Sequence, residues 1–441
     1  MKNLFVNSRL YLALFIAGLG YVLAFFYPQG LWGAHALLFG ILVLVLADAM
    51  LLFFGRDALV KAERLLPEKL SNGDANTVKI DLMSRYPFAV KVRGIDELPF
   101  QFQKRDFFME MTLKARSGGT FQYELYPKSR GVYEFGGLNV FVSSPLGLLA
   151  RRFVFGRSEA LPCYPSFVHL RKYELMALQN EFLLGGIKKI RRLGHTLEFE
   201  QIKEYVQGDD IRTINWKATS KQNRLMVNQY QDEKSQRIYL LVDKGRTMQM
   251  PFEGLSLLDY SINAVMALSH IVLRKGDRAG VMTFARKAEN KVAADHKPDQ
   301  LRKISETLYK VQTNFEESDF GRLYQDVRMS VGQRSLMLLF TNFETLDGLR
   351  RQMNYLRGIA KNHLLVVVFF KNTELQELLD SHPKTEQAIY DKIIAEKFEY
   401  EKKLIIQELR KYGISAVYTK PENLNIEVIN KYLEIKSRGM L

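Results

Sequence analysis

The sequence predicts a multidomain chain: an N-terminal transmembrane helical hairpin, an antiparallel β-sandwich-like domain, and a C-terminal α/β domain with a doubly wound, mostly parallel sheet. Three patterns predict it. Two long uncharged apolar runs stand three residues apart, short alternating segments broken by turn residues follow, and then apolar runs alternate regularly with helical patterns. The expected divisions are 1–56 for the hairpin, 57–165 for the sandwich, 166–235 for a connector and 236–441 for the α/β domain.

The hairpin comes first. Residues 10–27 and 31–54 are uncharged but for Asp48, and only Pro28, Gln29 and Gly30 part them. Each run approaches or exceeds the ~20 residues that cross a bilayer. A cleaved signal peptide would have no second span directly behind it, and a pair of buried core helices would keep a polar face. Lys2 and Arg9 precede the first run, while Arg56, Lys61 and Arg64 follow the second. The turn between them has no basic residue, so both ends are expected in the cytoplasm. Asp48 is a functional flag, as intramembrane acids are. Its place near the cytoplasmic end favours a carboxylate that reaches the interface or a neighbouring helix.

Charge narrows the partners. Sixty-three Lys and Arg against 48 Asp and Glu give the 441-residue chain a net +15, which favours an anionic neighbour. The basic loop "GGIKKIRRLG", with Lys188, Lys189, Arg191 and Arg192, raises nucleic acid as a candidate. It lacks interleaved aromatics, and no reading helix or zinc module accompanies it. Membrane lipid is the expected anionic partner, and no nucleic acid is expected. The lone Cys163 excludes an internal disulfide framework.

From 77 to 164, "TVKIDLM", "FAVKVRG", "FFMEMTLKA", "FQYELYP" and "LNVFVSS" read as strands. They carry no cluster of His, Cys or acids, so no chemistry is assigned to them. Beyond 237, strand-like runs at 238–242, 278–284, 335–341 and 364–370 alternate with helical patterns, and "SAVYT" and a closing helix end the series. Such alternation makes a parallel sheet with helices on both faces. Ligands in these sheets lie beyond the carboxyl ends of the strands.

Between the two lies "YVQGDDIRTINWK". Gly208 permits a tight turn, and Asp209 or Asp210 can cap a following helix. Ile211, Ile214 and Ala218 would share one helical face, Arg212 would pair with an acid, and Trp216 would close a local core. The functional alternative is an exposed Asp209–Asp210–Arg212 cluster that docks a partner or binds a cation.

Three stretches carry a resemblance. They are "SRGVYEFGGLNVFVSSPLGLLARR" at 129–152, "GHTLEFEQIKEYVQGDDIRTINWKATSK" at 194–221, and "VDKGRTM" at 242–248. Together they resemble the bacterial family catalogued as domain of unknown function fifty-eight. The resemblance implies a membrane-anchored protein with a von Willebrand factor A-like domain and an AAA+ ATPase of MoxR type as partner.

A metal-binding domain of that type takes its oxygen ligands from an Asp-x-Ser-x-Ser turn, a middle-loop Thr and a later Asp. Here the resemblance maps these onto Asp243, Thr247, Ser318 and Asn342, with Gly245 replacing one hydroxyl and Asn342 replacing the acid. Mg²⁺ depends strongly on carboxylates. A degenerate site is therefore expected, with no cofactor beyond a weakly held Mg²⁺, and Asp243 capping its own turn as the plainer role.

The rival is a Mg²⁺-dependent phosphotransferase with Asp243 as nucleophile. The acid pair such enzymes need is missing after the later strand. Walker, H-E-x-x-H and G-x-S-x-G patterns are absent too. The expected function is non-enzymatic: an adaptor or scaffold that uses the α/β domain for protein–protein interaction in assembly or envelope-related processes.

Overall fold

The computed structural model describes residues 3–53, 59–168, 198–231, 235–372 and 385–440, except 106, 157, 287 and 314, together with 170, 173–174, 375 and 379–380. The chain divides into two compact units, Met1–Tyr164 and Pro165–Leu441.

In the first unit a short strand β1 (Leu4–Val6) leads into helix α1 (Ser8–Phe26), and helix α2 (Leu31–Phe53) follows the turn. Both helices are long and apolar enough to cross a membrane. Small residues, Ala17, Ala24 and Ala34, are buried between the helices alongside a few larger ones such as Leu10 and Ile41, while most large apolar side chains face outward. A soluble helix pair would show the reverse pattern.

The strands that follow are β2 (Val60–Leu65), β3 (Leu70–Ser71), β4 (Asn76–Ser84), β5 (Val90–Asp96), β6 (Met109–Leu113), β7 (Gly118–Leu125), β8 (Gly131–Phe135), β9 (Leu138–Ser143), β10 (Leu149–Phe155) and β11 (Glu159–Tyr164). They form sheets of order β1-β10-β9-β5-β6, β2-β4-β7 and β3-β11-β8. All pairs are antiparallel except β3 with β11. Alternation does the work: Val78, Ile80 and Leu82 of β4 are buried with Val90 and Val92 of β5, while Lys79 and Asp81 face out. The shared core of the sheets makes this the expected sandwich.

In the second unit β12 (Glu198–Glu204) and β13 (Met226–Gln231) form an antiparallel hairpin around the Gly208–Trp216 motif. Then come β14 (Arg237–Asp243), a two-strand turn of β15 (Pro251–Phe252) and β16 (Leu255–Ser256), β17 (Arg278–Phe284), β18 (Ala288–Asp295), β19 (Leu336–Phe340), β20 (Leu364–Phe370) and β21 (Ser415–Thr419). The main sheet has the order β18-β17-β14-β19-β20-β21. Every neighbour in it is parallel except β18, an edge strand antiparallel to β17.

Both faces of that sheet are covered. Ile238, Leu240 and Val242 pack under helices Leu257–Arg274 and Leu424–Ser437. Tyr239 and Leu241 pack under Phe320–Ser330, Leu346–Asn362 and the C-terminal half of Glu386–Lys411. This is the predicted doubly wound α/β fold. Strand order reverses at β14, which pairs with β17 on one side and with β19, a much later strand, on the other. The switch point beyond those strand ends is where such folds place their ligands.

Candidate functional site

Asp243 closes β14 at that switch point, with only 1% of its surface exposed. A buried carboxylate needs donors, and three protein groups supply them. The N–H of Gly245 donates to Oδ1 at 2.9 Å, and the Ser318 hydroxyl donates to the same oxygen. The Thr341 hydroxyl donates to Oδ2 at 2.6 Å. Burial raises the carboxyl above the usual carboxylate range, and these bonds pull the other way.

The donors arrive from three loops. Residues 243–249 run from the strand end into a 3₁₀ turn, Arg246–Gln249, which holds Thr247. The loop bearing Ser318 is tied to the segments that follow β14 and β17 by Arg246 N–H to Glu316 C=O at 3.0 Å and Asp319 N–H to Ala285 C=O at 2.9 Å. Asp319 then caps helix Phe320–Ser330 by accepting from Arg322 N–H at 2.9 Å. Thr341 directly follows β19, and its N–H donates to Val368 C=O at 3.1 Å. A Cβ on Gly245 would overlap the Ser318 hydroxyl. The missing side chain at 245 is thus what allows Ser318 to reach Asp243.

Asn342 is turned to a different partner. Its Oδ1 accepts from Lys402 Nζ at 3.2 Å, and that ammonium also donates to the Phe343 carbonyl. Burial pulls the Lys402 ammonium down to about 8, against the raising influence of Glu344, Glu399 and Glu401. Set against the shell of a Mg²⁺ ion, these groups do not fit. A single carboxylate is present, it already accepts three hydrogen bonds, and the neutral residue beside it faces a positive charge. Among the described residues no group of three or more His, Cys, Asp or Glu side chains is placed to hold a metal.

The structure therefore brings Asp243 and Ser318 together and adds two groups that sequence reasoning passed over. Thr341 was legible as a neighbour of Asn342 at a strand end. Lys402 had no signal, being one of many lysines in a long helix.

The Gly208–Trp216 motif forms a second region. Gly208 has φ +113°, which suits glycine. Asp209 accepts from Val206 N–H at 3.0 Å and from Lys203 Nζ at 2.8 Å. The Lys203 ammonium, and then the Val206 N–H, hold its carboxyl below the usual range. Asp210 caps the 3₁₀ turn Ile211–Thr213 by accepting from Arg212 N–H at 3.0 Å. Asn215 caps helix Trp216–Gln222.

Three expectations are corrected here. A 3₁₀ turn followed by a separate short helix replaces one continuous helix, because Asn215 starts a new cap. Trp216 closes no core: it is 70% exposed, with Ile211 at 69% and Val206 at 63%. Arg212 contributes its backbone N–H, and the cation on Asp209 is Lys203. Lys188, Lys189, Arg191 and Arg192 lie outside the described residues.

A doubly wound sheet with an acid at the switch strand, its three loops converging on that acid, defines a von Willebrand A-like domain. Residues 201–382 match the family model described as Protein of unknown function DUF58, so the chain carries a domain of that family. The relative described as uncharacterized protein YeaD, from Bacillus subtilis (strain 168), is 23% identical over 264 residues, 58% of this chain; the chain spans 64% of that relative's length.

Among solved structures, the conserved hypothetical protein BatB from Bacteroides thetaiotaomicron is similar over 45% of this chain and 98% of its own, at 11% identity and a TM-score of 0.30. The CARDB domain of the PF1109 protein from Pyrococcus furiosus is similar over 24% of this chain and 94% of its own, at 9% identity and a TM-score of 0.17. The chain's architecture is consistent with a protein-interaction or scaffold role through its A-like domain.

Proposed function

We propose that the protein is a non-enzymatic adaptor anchored in a bacterial inner membrane, both ends of its hairpin lying on the cytoplasmic side. Its first candidate partner, by family resemblance, is an AAA+ ATPase of MoxR type, whose action it would place at the membrane. One observation carries the reading: the signature hairpin presents Trp216, Ile211 and Val206 to solvent on a backbone pinned by Asp209, Asp210 and Asn215. Exposed apolar side chains on a rigid frame, with a tryptophan among them, are what a protein-binding surface requires. A folding motif alone would bury them.

In this reading Asp243, Ser318 and Thr341 form a lock that holds the rim loops, with Thr247 and Asn342 beside it. The tested quantity is partner capture. Tagged full-length protein from detergent-solubilised native membranes, with ATP or without nucleotide, should recover an AAA+ ATPase. Trp216→Ala and Ile211→Ala should lose that ATPase while leaving the protein's own yield unchanged. Equal recovery by wild type and both variants would refute the surface, and recovery of envelope proteins without any ATPase would refute the partner.

A further inference from the structure

The hairpin is joined to the sandwich at both of its open ends. Before α1, β1 pairs with β10 as the edge of the five-stranded sheet. Asn7 Nδ2 donates to Ser143 Oγ at 2.9 Å and to the Gly147 carbonyl at 3.2 Å. Near the end of α2, Asp48 is fully buried. Its carboxylate accepts the N–H groups of Leu148 and Leu149 at 2.9 and 2.7 Å, and the Ser144 hydroxyl. One turn further, the Leu52 carbonyl accepts from Tyr86 Oη at 2.9 Å and from Arg151 at 3.1 Å. In the last turn and a half of α2, the face that carries Asp48 and Leu52 is therefore packed against the sandwich, while Met50 and Phe53 on the other side stay exposed.

These bonds fix the depth of a loop. Arg9 and Asp48 each lie about eighteen residues from the turn, ~27 Å of helix, close to the ~30 Å of a hydrocarbon core. Both residues fall at the membrane face, and the β9–β10 loop wraps that level. Arg9 Nη1 donates to the Leu146 carbonyl at 3.2 Å. Gly147, at φ +67°, makes the crossing possible, since a Cβ there would stand 3.1 Å from the Arg9 guanidinium. Pro145 and Leu146 at the loop tip are exposed, as are Leu4 and Val6 of the adjoining strand. Apolar tips beside a guanidinium, continuous with an apolar hairpin, match an anionic lipid interface.

We infer that the β9–β10 loop, clamped by Asp48, is seated in the headgroup region of the membrane, so that the sandwich rests on the bilayer surface; this builds on the reading of α1 and α2 as a spanning hairpin. Asp48 is then a positioning residue, and the loop is a lipid-contact site.

The test uses full-length protein in phosphatidylethanolamine–phosphatidylglycerol vesicles, with a fluorophore on one introduced cysteine at a time. The unlabelled buried Cys163 of the parent serves as the blank. Leu146→Cys reports the loop, Phe39→Cys the middle of the hairpin, and Val154→Cys, on the same sandwich edge but ~16 Å along β10, the sandwich away from the membrane. Nitroxide lipids quench either near the headgroups or deep in the chains. The expected result is loss of Leu146→Cys fluorescence with the shallow nitroxide, loss of Phe39→Cys fluorescence with the deep one, and little loss at Val154→Cys. Adding Asp48→Leu should abolish quenching at 146 and leave it at 39. Quenching at 39 with none at 146 beyond the Val154→Cys level overturns the loop placement and leaves the hairpin standing. No quenching at 39 overturns both.

Discussion

Asp48 and Asp243 are both buried acids in places where sequence reasoning looks for chemistry, and the structure treats them alike. Each accepts three hydrogen bonds, one of them from a serine hydroxyl brought from a distant loop. They differ in what they hold together. Asp243 gathers loops of one domain around a sheet end, with hydroxyls on both oxygens. Asp48 takes mainly backbone N–H groups and ties a helix of the hairpin to a strand connection. A carboxylate in an apolar run is therefore an anchor when neighbouring N–H groups converge on it. At a switch point a carboxylate can instead be committed to the hydroxyls of its own rim.

The comparison can be broken by removing each acceptor. Asp243→Ala strands three donors in a buried rim and should cost on the order of 3 kcal/mol in denaturant unfolding. Asp243→Asn keeps an acceptor and should cost clearly less, and equal costs would show that the donors are not committed to this group. Asp48→Ala should follow at about 2 kcal/mol, since its loop can turn N–H groups toward water. Its signature is faster proteolysis within 144–149, with the rim unaffected. Protection unchanged at that loop would sink the clamp.

Gly245→Ser sharpens the rim. It should destabilise by about 1–3 kcal/mol through overlap with Ser318, and Ser318→Gly in the same chain should restore most of the loss. Wild type should show no shift in unfolding temperature with millimolar Mg²⁺, because a cation that does not bind adds nothing to the folded state. A Mg²⁺-dependent rise that vanishes in Asp243→Ala would contradict the hydrogen-bonded rim.

The smallest effect is in acid. The Asp209 carboxyl is held below its ordinary value, so its stabilisation is present above the unfolded value and is lost as pH falls through the folded one. Trp216 emission should change over that low-pH range in wild type, and Asp209→Asn should flatten the change. A wild-type profile matching the variant would remove Asp209 from the hairpin's support.

Much of the fold was legible because period and burial agree. Ile238 to Val242 is apolar on both faces, as a central parallel strand must be, and β4 alternates, as a sandwich strand must. Strand β18, "AENKVAAD", was not, since an edge strand can be polar and its partner is set by a turn. Strand β1 was hidden by its neighbourhood: three apolar residues before a membrane run look like part of it. At the site, Asp243 and Ser318 were legible as a turn and a loop, whereas their direct bond is a tertiary fact. The exposure of Trp216 was illegible for the same reason: a tryptophan near a helix start reads as core until the neighbours are placed.

The pairing of β1 with β10 bears on how the molecule is assembled. The three residues of β1 find their partner about 145 residues later. During synthesis, both membrane helices are complete long before the strand that receives β1 exists. Strand β1 must stay unpaired throughout that interval. A bulky fusion placed before residue 4 should therefore lower the yield of folded protein, even though both spans would still insert.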